Sequence, residues 1–221
     1  MSFIEDQLVA FKNMFEGAIR DSESDGLKAK TSIIRSSKLM SLMHEAVKHE
    51  LIRQGVNTTY LHPPQGKSSP ELKIAGFLKQ KKQDVCVTPD PGRVPRKNRT
   101  INWGPLKYKE LKDSLGMDYT EKTLVINVRS QLSSIAKNRD TLFERTFAEA
   151  LNLHMKYPKM VLGEVYLIPL YEYDEKAMEH EEASKRIQFK DKPIKIEEYL
   201  SFFHGINNRA SDTDAQYKYE R

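Results

Sequence analysis

The sequence is poor in cysteine and contains no long hydrophobic run. A single cysteine, Cys86, among 221 residues excludes a disulfide framework and a zinc site built from several thiolates. No stretch of about 18 uncharged apolar residues occurs, which argues against a transmembrane helix. The N-terminus also lacks the basic and apolar segments of a secretory signal. These absences predict a cytoplasmic protein without a membrane partner.

The usual signatures of nucleotide cofactors and serine hydrolases are missing as well. The chain has no phosphate-binding loop and no Gly-x-Gly-x-x-Gly run, so no nucleotide cofactor is expected. It also has no Gly-x-Ser-x-Gly elbow. Its six histidines are scattered, and Cys86 lies in a predicted strand, which is more typical of a core residue than of a nucleophile.

Positive charge is concentrated in the middle of the chain. Residues 67–112 contain 12 Lys and Arg against 4 Asp and Glu, a formal charge of +8, while the remainder has 24 basic and 27 acidic residues. A basic segment of this kind favours a polyanionic partner, most commonly a nucleic acid. A solvated basic loop that binds nothing is the plain alternative.

The order of predicted elements indicates an α/β fold. Hydrophobic periodicity predicts helices over residues 1–20, 36–54, 106–115 and 141–155, with a loop over 21–30. Strands are predicted over residues 73–77, 84–88, 123–128 and 160–171, and a long Pro- and Gly-rich loop over 89–106. The strand, helix and strand of residues 123–171 form a crossover unit, which implies a parallel or mixed sheet.

These elements fit a single domain of 221 residues. It would consist of N-terminal helices over 1–55, a core over about 73–171 and a C-terminal extension over 172–221. Residues 215–221 are compatible with a helix.

Polar residues cluster where two of the predicted strands begin and end. Asp84 opens one strand, and Asn127, Arg129 and Gln131 alternate along one side of the end of the next. Glu144 follows on the helix after that strand. Carboxylates beside a basic surface suit Mg²⁺, which commonly takes one or two carboxylates together with substrate phosphate oxygens. This arrangement predicts metal-assisted hydrolysis of a phosphodiester bond.

The same residues resemble the core of PD-(D/E)XK nucleases, and more closely type II restriction endonucleases of the XhoI-like kind. In these enzymes a run of glycine, hydrophobic and basic residues leads to the first aspartate, a strand ends Glu-x-Lys-Ser-Gln, and a helix contains Arg-x-x-Glu. The corresponding runs here are Gly76-Phe77-Leu78-Lys79-Gln80-Lys81-Lys82-Gln83-Asp84, Asn127-Val128-Arg129-Ser130-Gln131 and Glu144-Arg145-Thr146-Phe147-Ala148-Glu149. The likeness covers about residues 73–171. Asn127 stands in place of the acid, and Arg129 in place of the lysine.

The resemblance implies a mixed central sheet flanked by helices and Mg²⁺-dependent cleavage of double-stranded DNA at a specific sequence by a homodimer. It implies that Asp84 and Glu144 hold the metal and that Arg129 faces the scissile phosphate.

In the same interpretation, Asn127 and Gln131 order water or ligand. Glu149 is the second candidate for the missing acid, and Glu45 on the N-terminal helix is a further candidate. Contacts to DNA are expected from the basic residues Lys79, Lys81, Lys82, Arg93, Arg96, Lys97 and Arg99.

Three other interpretations stay open. Asn127 carries no charge, and Arg129 stays protonated and cannot act as a base, so a catalytically weak or inactive DNA-binding protein on a nuclease-like fold is the main alternative. An RNA-directed protein is disfavoured because few aromatic residues lie among the basic ones. The third is an α/β domain with a basic loop that binds no nucleic acid.

Overall fold

The computed structural model describes residues 2–23, 25–179 and 184–220, and His180, one of the six histidines, lies outside these ranges. The helices are α1 (Phe3–Arg20), α2 (Gly26–Arg35), α3 (Ser37–Arg53), α4 (Met117–Glu121), α5 (Ile135–His154) and α6 (Ile196–Ile206). The strands are β1 (Leu61–His62), β2 (Leu72–Ala75), β3 (Gln80–Gln83), β4 (Val85–Val87), β5 (Arg99–Thr100), β6 (Lys112–Asp113), β7 (Leu124–Ser130) and β8 (Leu162–Leu167). Short 3-10 helices cover Thr58–Tyr60 and Gly104–Tyr108.

A four-stranded mixed sheet with the strand order β1-β4-β7-β8 forms the centre of the fold. Strand β4 is antiparallel to β1 and β7, whereas β7 and β8 are parallel. Helix α5 connects the parallel pair, which confirms the predicted crossover unit. Because Val85 pairs with Ile126, the next position of the register sets Asp84 opposite Asn127.

Helices cover both faces of this sheet, because alternate residues of its strands are apolar on each side. On one face Phe15 of α1 and Met43 of α3 pack in a cluster with Val85. On the other face Cys86 packs with Leu153 of α5. Burial of each large apolar side chain contributes about 1.5–3 kcal/mol. Cys86 is fully buried, which confirms it as a core residue. None of the described helices is long and apolar enough to cross a membrane.

Three local predictions are wrong. The predicted loop over 21–30 contains the start of α2, because the Asp25 side chain accepts hydrogen bonds from the Leu27 and Lys28 amides and caps the helix. Residues 106–115 do not form one helix; a 3-10 helix ends at Tyr108, and β6 follows. The described tail up to Glu220 forms turns and a bridge to Arg209 instead of a helix.

The β2–β3 hairpin docks its turn on α5 through Asn152. The Asn152 side-chain oxygen accepts hydrogen bonds from the Leu78 amide at 2.8 Å and the Lys79 amide at 2.9 Å, and the Asn152 carbonyl accepts one from the Phe77 amide at 2.6 Å. The approach is so close that a Cβ atom on Gly76 would lie 2.4 Å from the Asn152 carbonyl oxygen. Glycine is therefore required at this position by space.

We expect Gly76→Ala to lower the free energy of unfolding by about 1–3 kcal/mol, because the added methyl group must displace backbone atoms of a packed helix. Urea denaturation measures this change. The matched control is Gly17→Ala within α1, where the nearest atom to the added Cβ is 3.7 Å away; there alanine should stabilise by about 0.5–1 kcal/mol. Equal stability changes in the two variants would contradict the close docking of the hairpin.

Candidate functional site

Asp84 lies at the junction of the β2–β3 hairpin and the central sheet. Its Oδ2 accepts a hydrogen bond of 2.8 Å from the Val128 amide, which ties the carboxylate to the strand carrying Asn127 and Arg129. The Asp84 side chain remains partly exposed. The pKa of His44 on α3 is lowered, because burial of this imidazole outweighs the attraction of the Asp84 charge. The Asp84 carboxylate is thus accessible to solvent at the start of β4, opposite the part of β7 that carries Asn127.

Asn127, Lys81 and Glu149 form a polar cluster beside Asp84. The Lys81 ammonium lies 3.3 Å from Asn127 Oδ1 and 3.1 Å from Glu149 Oε2, while Lys79 Nζ lies 3.5 Å from the same Glu149 oxygen. Asn127 is fully buried, and Glu149 is 2% exposed. The hairpin therefore supplies two cations to an acid that α5 buries against the sheet.

Several buried polar atoms around this cluster have no hydrogen-bond partner within the described residues. They include Asn127 Nδ2, Glu149 Oε1, Asn152 Nδ2 and both terminal atoms of Gln83. An unsatisfied buried polar group costs about 1–3 kcal/mol, and most proteins leave few of them. Their concentration next to Asp84 indicates a place for water or a polar ligand.

A second ion pair fixes Arg129 on the same strand. Its guanidinium contacts the carboxylate of Glu164 on β8. The single hydroxyl proton of Tyr219 lies between two acceptors, a Glu164 oxygen and, at 3.0 Å, the Thr146 carbonyl oxygen. Burial raises the pKa of Glu164, and the attraction of Arg129 only partly offsets this effect. Burial also raises the pKa of Tyr219, and the neighbouring Glu164 charge adds to the shift. Arg129 is therefore occupied by an internal acid.

The structure separates the two glutamates proposed for the missing acid. Glu144 is exposed, whereas Glu149 points toward the sheet. Five residues of α-helix rotate a side chain by about 140° around the axis, so the two cannot share a face. Of the two, only Glu149 joins the polar cluster with Asn127.

Two further predicted site residues, Gln131 and Glu45, form hydrogen bonds that hold loops next to their own elements. The Gln131 amide group donates a hydrogen bond of 2.6 Å to the Ser133 carbonyl in the turn after β7. Glu45 on α3 accepts from the Lys48 ammonium at 2.7 Å and from the Gly66 amide at 2.8 Å, and so holds the loop before β2.

The predicted DNA-contacting residues fall into two groups. Lys79 and Lys81 pair with Glu149, and Lys82 pairs with Glu71 at 3.2 Å. The members of the second group are exposed, with no ion pair to an acid anywhere in the described ranges: Arg93, Arg96, Lys97 and Arg99. Only the second group presents uncompensated positive charge to solvent.

A cavity of about 520 Å³ lies beside this second group. Its lining includes Lys73, Arg93 and Arg96 together with His62 and Glu71. The cavity therefore combines several cations with one carboxylate at the surface of the basic segment.

The sequence analysis did not identify Glu164 or Tyr219 as site residues. It predicted Lys81 as a DNA contact and not as a partner of Asn127 and Glu149. A signal for Glu164 was present, because it is a single acid within an otherwise apolar strand. No such signal marks Tyr219, which is 55 residues from Glu164 along the chain.

Within the part of the chain that the structure describes, no three His, Cys, Asp or Glu side chains are grouped so as to hold a metal ion. Comparisons with protein-family models, with curated proteins and with solved structures return no match. The interpretation of the site therefore depends on its own geometry and charge.

We expect Tyr219→Phe to lower the free energy of unfolding by about 1–3 kcal/mol, because it removes the one hydroxyl proton that the buried oxygens of Glu164 and Thr146 share. Chemical denaturation measures the loss. Tyr217→Phe is the matched control: the Tyr217 ring contacts Phe147, and its hydroxyl has no partner among the described residues. The control should stay within about 0.5 kcal/mol of the parent. A Tyr219→Phe protein as stable as the control would show that Glu164 does not need this donor.

Proposed function

We propose that this protein is a nuclease that hydrolyses phosphodiester bonds of double-stranded DNA, built on a PD-(D/E)XK-like core. The observation that carries the proposal is that Asp84 lies opposite Asn127 in the β4–β7 register, and that Lys81 joins Asn127 to the buried Glu149. The strand order, with an antiparallel β4–β7 pair and a parallel β7–β8 pair joined by α5, supports the same proposal.

The acid missing from the strand is supplied by Glu149 in this proposal. Glu149 is nearly fully buried, and its Oε1 has no hydrogen-bond partner in the described part of the chain. Mg²⁺ needs only one or two protein carboxylates when substrate phosphates and water complete its shell. In this proposal Glu149 and the Asn127 side-chain oxygen would hold a Mg²⁺ ion together with Asp84, which lies opposite Asn127 in the register. The ion would polarise the phosphate and lower the pKa of the attacking water.

Arg129 has a positioning role rather than a direct one. Its pairing with Glu164 occupies the guanidinium, and this contact lies between the parallel strands that carry the site. Guanidinium keeps its charge at all relevant pH values, so it provides a fixed positive potential near the cluster without exchanging protons.

Binding of DNA is assigned to the exposed basic loop. The side chains that this assignment uses are exposed and form no ion pair with an acid among the residues that the structure describes: Arg93, Arg96, Lys97 and Arg99. Arginine suits both phosphates and guanine edges in the major groove. Recognition of a specific palindromic sequence by a homodimer belongs to the same proposal, because two-fold proteins match two-fold sites.

A non-cleaving DNA-binding protein is the second candidate. Asn127 brings no charge, and the carboxylates of Glu149 and Glu164 are both neutralised by internal cations. These observations favour a domain that keeps the nuclease-like sheet and the basic loop but binds DNA without cutting it.

We expect purified protein to cut plasmid or phage DNA into discrete fragments with Mg²⁺ and not with EDTA. Asp84→Asn and Glu149→Gln should each lower the cleavage rate by about 100-fold or more, since each removes a preorganised charge at the reacting phosphate. Glu144→Gln is the matched control on the same helix and should cut at the parental rate.

Loss of cleavage in Glu144→Gln with normal cleavage in Glu149→Gln would instead make Glu144 the acid of the site. Intact DNA under every condition, together with a salt-sensitive gel shift, would establish the non-cleaving candidate. Thermal unfolding of each variant separates loss of chemistry from loss of fold.

We also expect removal of loop charges to change the salt dependence of DNA binding. Each of Arg93→Ala, Arg96→Ala and Arg99→Ala should lower the slope of log Kd against log salt by about 0.9 if that residue contacts one phosphate. Lys28→Ala is the control, because Lys28 is exposed on α2 and pairs with Asp25. Fluorescence anisotropy on a labelled duplex measures the slopes, and identical slopes for all variants would exclude the loop as the DNA contact.

A further inference from the structure

Lys81 occupies a position in the polar cluster that a small cation would take. Its ammonium contacts a side-chain oxygen of β7 on one side and a carboxylate oxygen of α5 on the other, at 3.3 and 3.1 Å. Both oxygens belong to buried side chains, whereas the Lys81 side chain is 30% exposed. The charge therefore reaches the buried oxygens from the solvent side.

The backbone behind Lys81 is fixed, whereas the side chain reaches the cluster from solvent and is 30% exposed. Asn152 holds the hairpin turn through two amide hydrogen bonds, and Gly76 lets the turn lie against α5. Lysine carries its charge on a flexible stem of four carbons. An outward rotation of this stem needs no movement of β3.

The two side chains that Lys81 contacts also carry polar atoms that Lys81 does not reach. Glu149 Oε1 has no hydrogen-bond partner within the described residues, although Glu149 is 2% exposed. Carboxylate and amide oxygens are ligands for hard divalent cations. The remaining oxygen of Glu149 could thus contact a cation once the ammonium has left.

We propose that the Lys81 ammonium occupies the divalent-cation position between Asn127 and Glu149, and that the site accepts the metal only when Lys81 turns outward to an anionic ligand. DNA phosphate is the anion in this scheme, a choice that rests on the proposed function. The metal-binding part does not depend on cleavage. Lys79 contacts the same Glu149 oxygen and acts as a weaker competitor.

The test is calorimetric titration of the full chain with Mn²⁺ in the absence of DNA. Lys81→Met should bind Mn²⁺ at least about tenfold more tightly than the parent, and Lys79→Met with Lys81→Met more tightly still. Lys81→Arg keeps the charge and should bind as weakly as the parent. Lys82→Met is the matched control, because Lys82 pairs with Glu71 outside the cluster.

Adding Glu149→Gln to Lys81→Met should abolish the gain in affinity. A short duplex should raise the Mn²⁺ affinity of the parent by a larger factor than that of Lys81→Met, because DNA phosphates add ligands in both proteins but displace a lysine only in the parent. The inference is overturned if neither the single nor the double lysine variant binds Mn²⁺ more tightly than the parent, or if the gain persists with Glu149→Gln.

These outcomes are distinct from those for the proposed function. A gain in Mn²⁺ affinity together with intact DNA in cleavage assays would retain the Lys81 inference and remove the nuclease proposal. Mg²⁺-dependent cleavage with no change in Mn²⁺ affinity would do the reverse.

Discussion

The parallel pairing of β7 with β8 is the constraint on which the candidate site depends. Two parallel neighbours need a crossover connection, and here the connection is α5, which must lie across the sheet. That placement brings Glu149 over the strand carrying Asn127, and it gives the β2–β3 hairpin a surface to dock on at Asn152. The polar cluster is thus a consequence of the strand order.

Charge balance governs what this cluster can do. Glu149 is compensated by two lysines from the hairpin, and Glu164 by Arg129. Buried ion pairs often contribute little net stability, because desolvation offsets their attraction, yet removing one partner is strongly destabilising. The cluster therefore holds its cations firmly unless another ion replaces them. A polyanion at the exposed end of the hairpin is one means of drawing a lysine away.

Much of the fold could be predicted from the sequence, and the site only in part. Strand β7 and helix α5 were evident because each has a clear hydrophobic pattern, and Asp84 because it opens a buried strand beside basic residues. The hydrophobic pattern of a helix or strand predicts which of its faces is buried, but it does not predict which other element packs against that face. For that reason the sequence left Glu144 and Glu149 as rivals, while the helix geometry places only Glu149 against the sheet.

Strand β3 presents its side chains alternately to the cluster and to solvent. Lys79, at the end of the turn, and Lys81 face Glu149, while Lys82 lies on the outer side with Glu71. A strand repeats every two residues, so inserting or deleting one residue in the turn would exchange the two sides. Lys79 and Lys81 would then face solvent, and Gln80 and Lys82 would turn to the inner side, so Glu149 would lose both of its present partners. The length of this turn is thus an electrostatic requirement of the site as well as a geometric one.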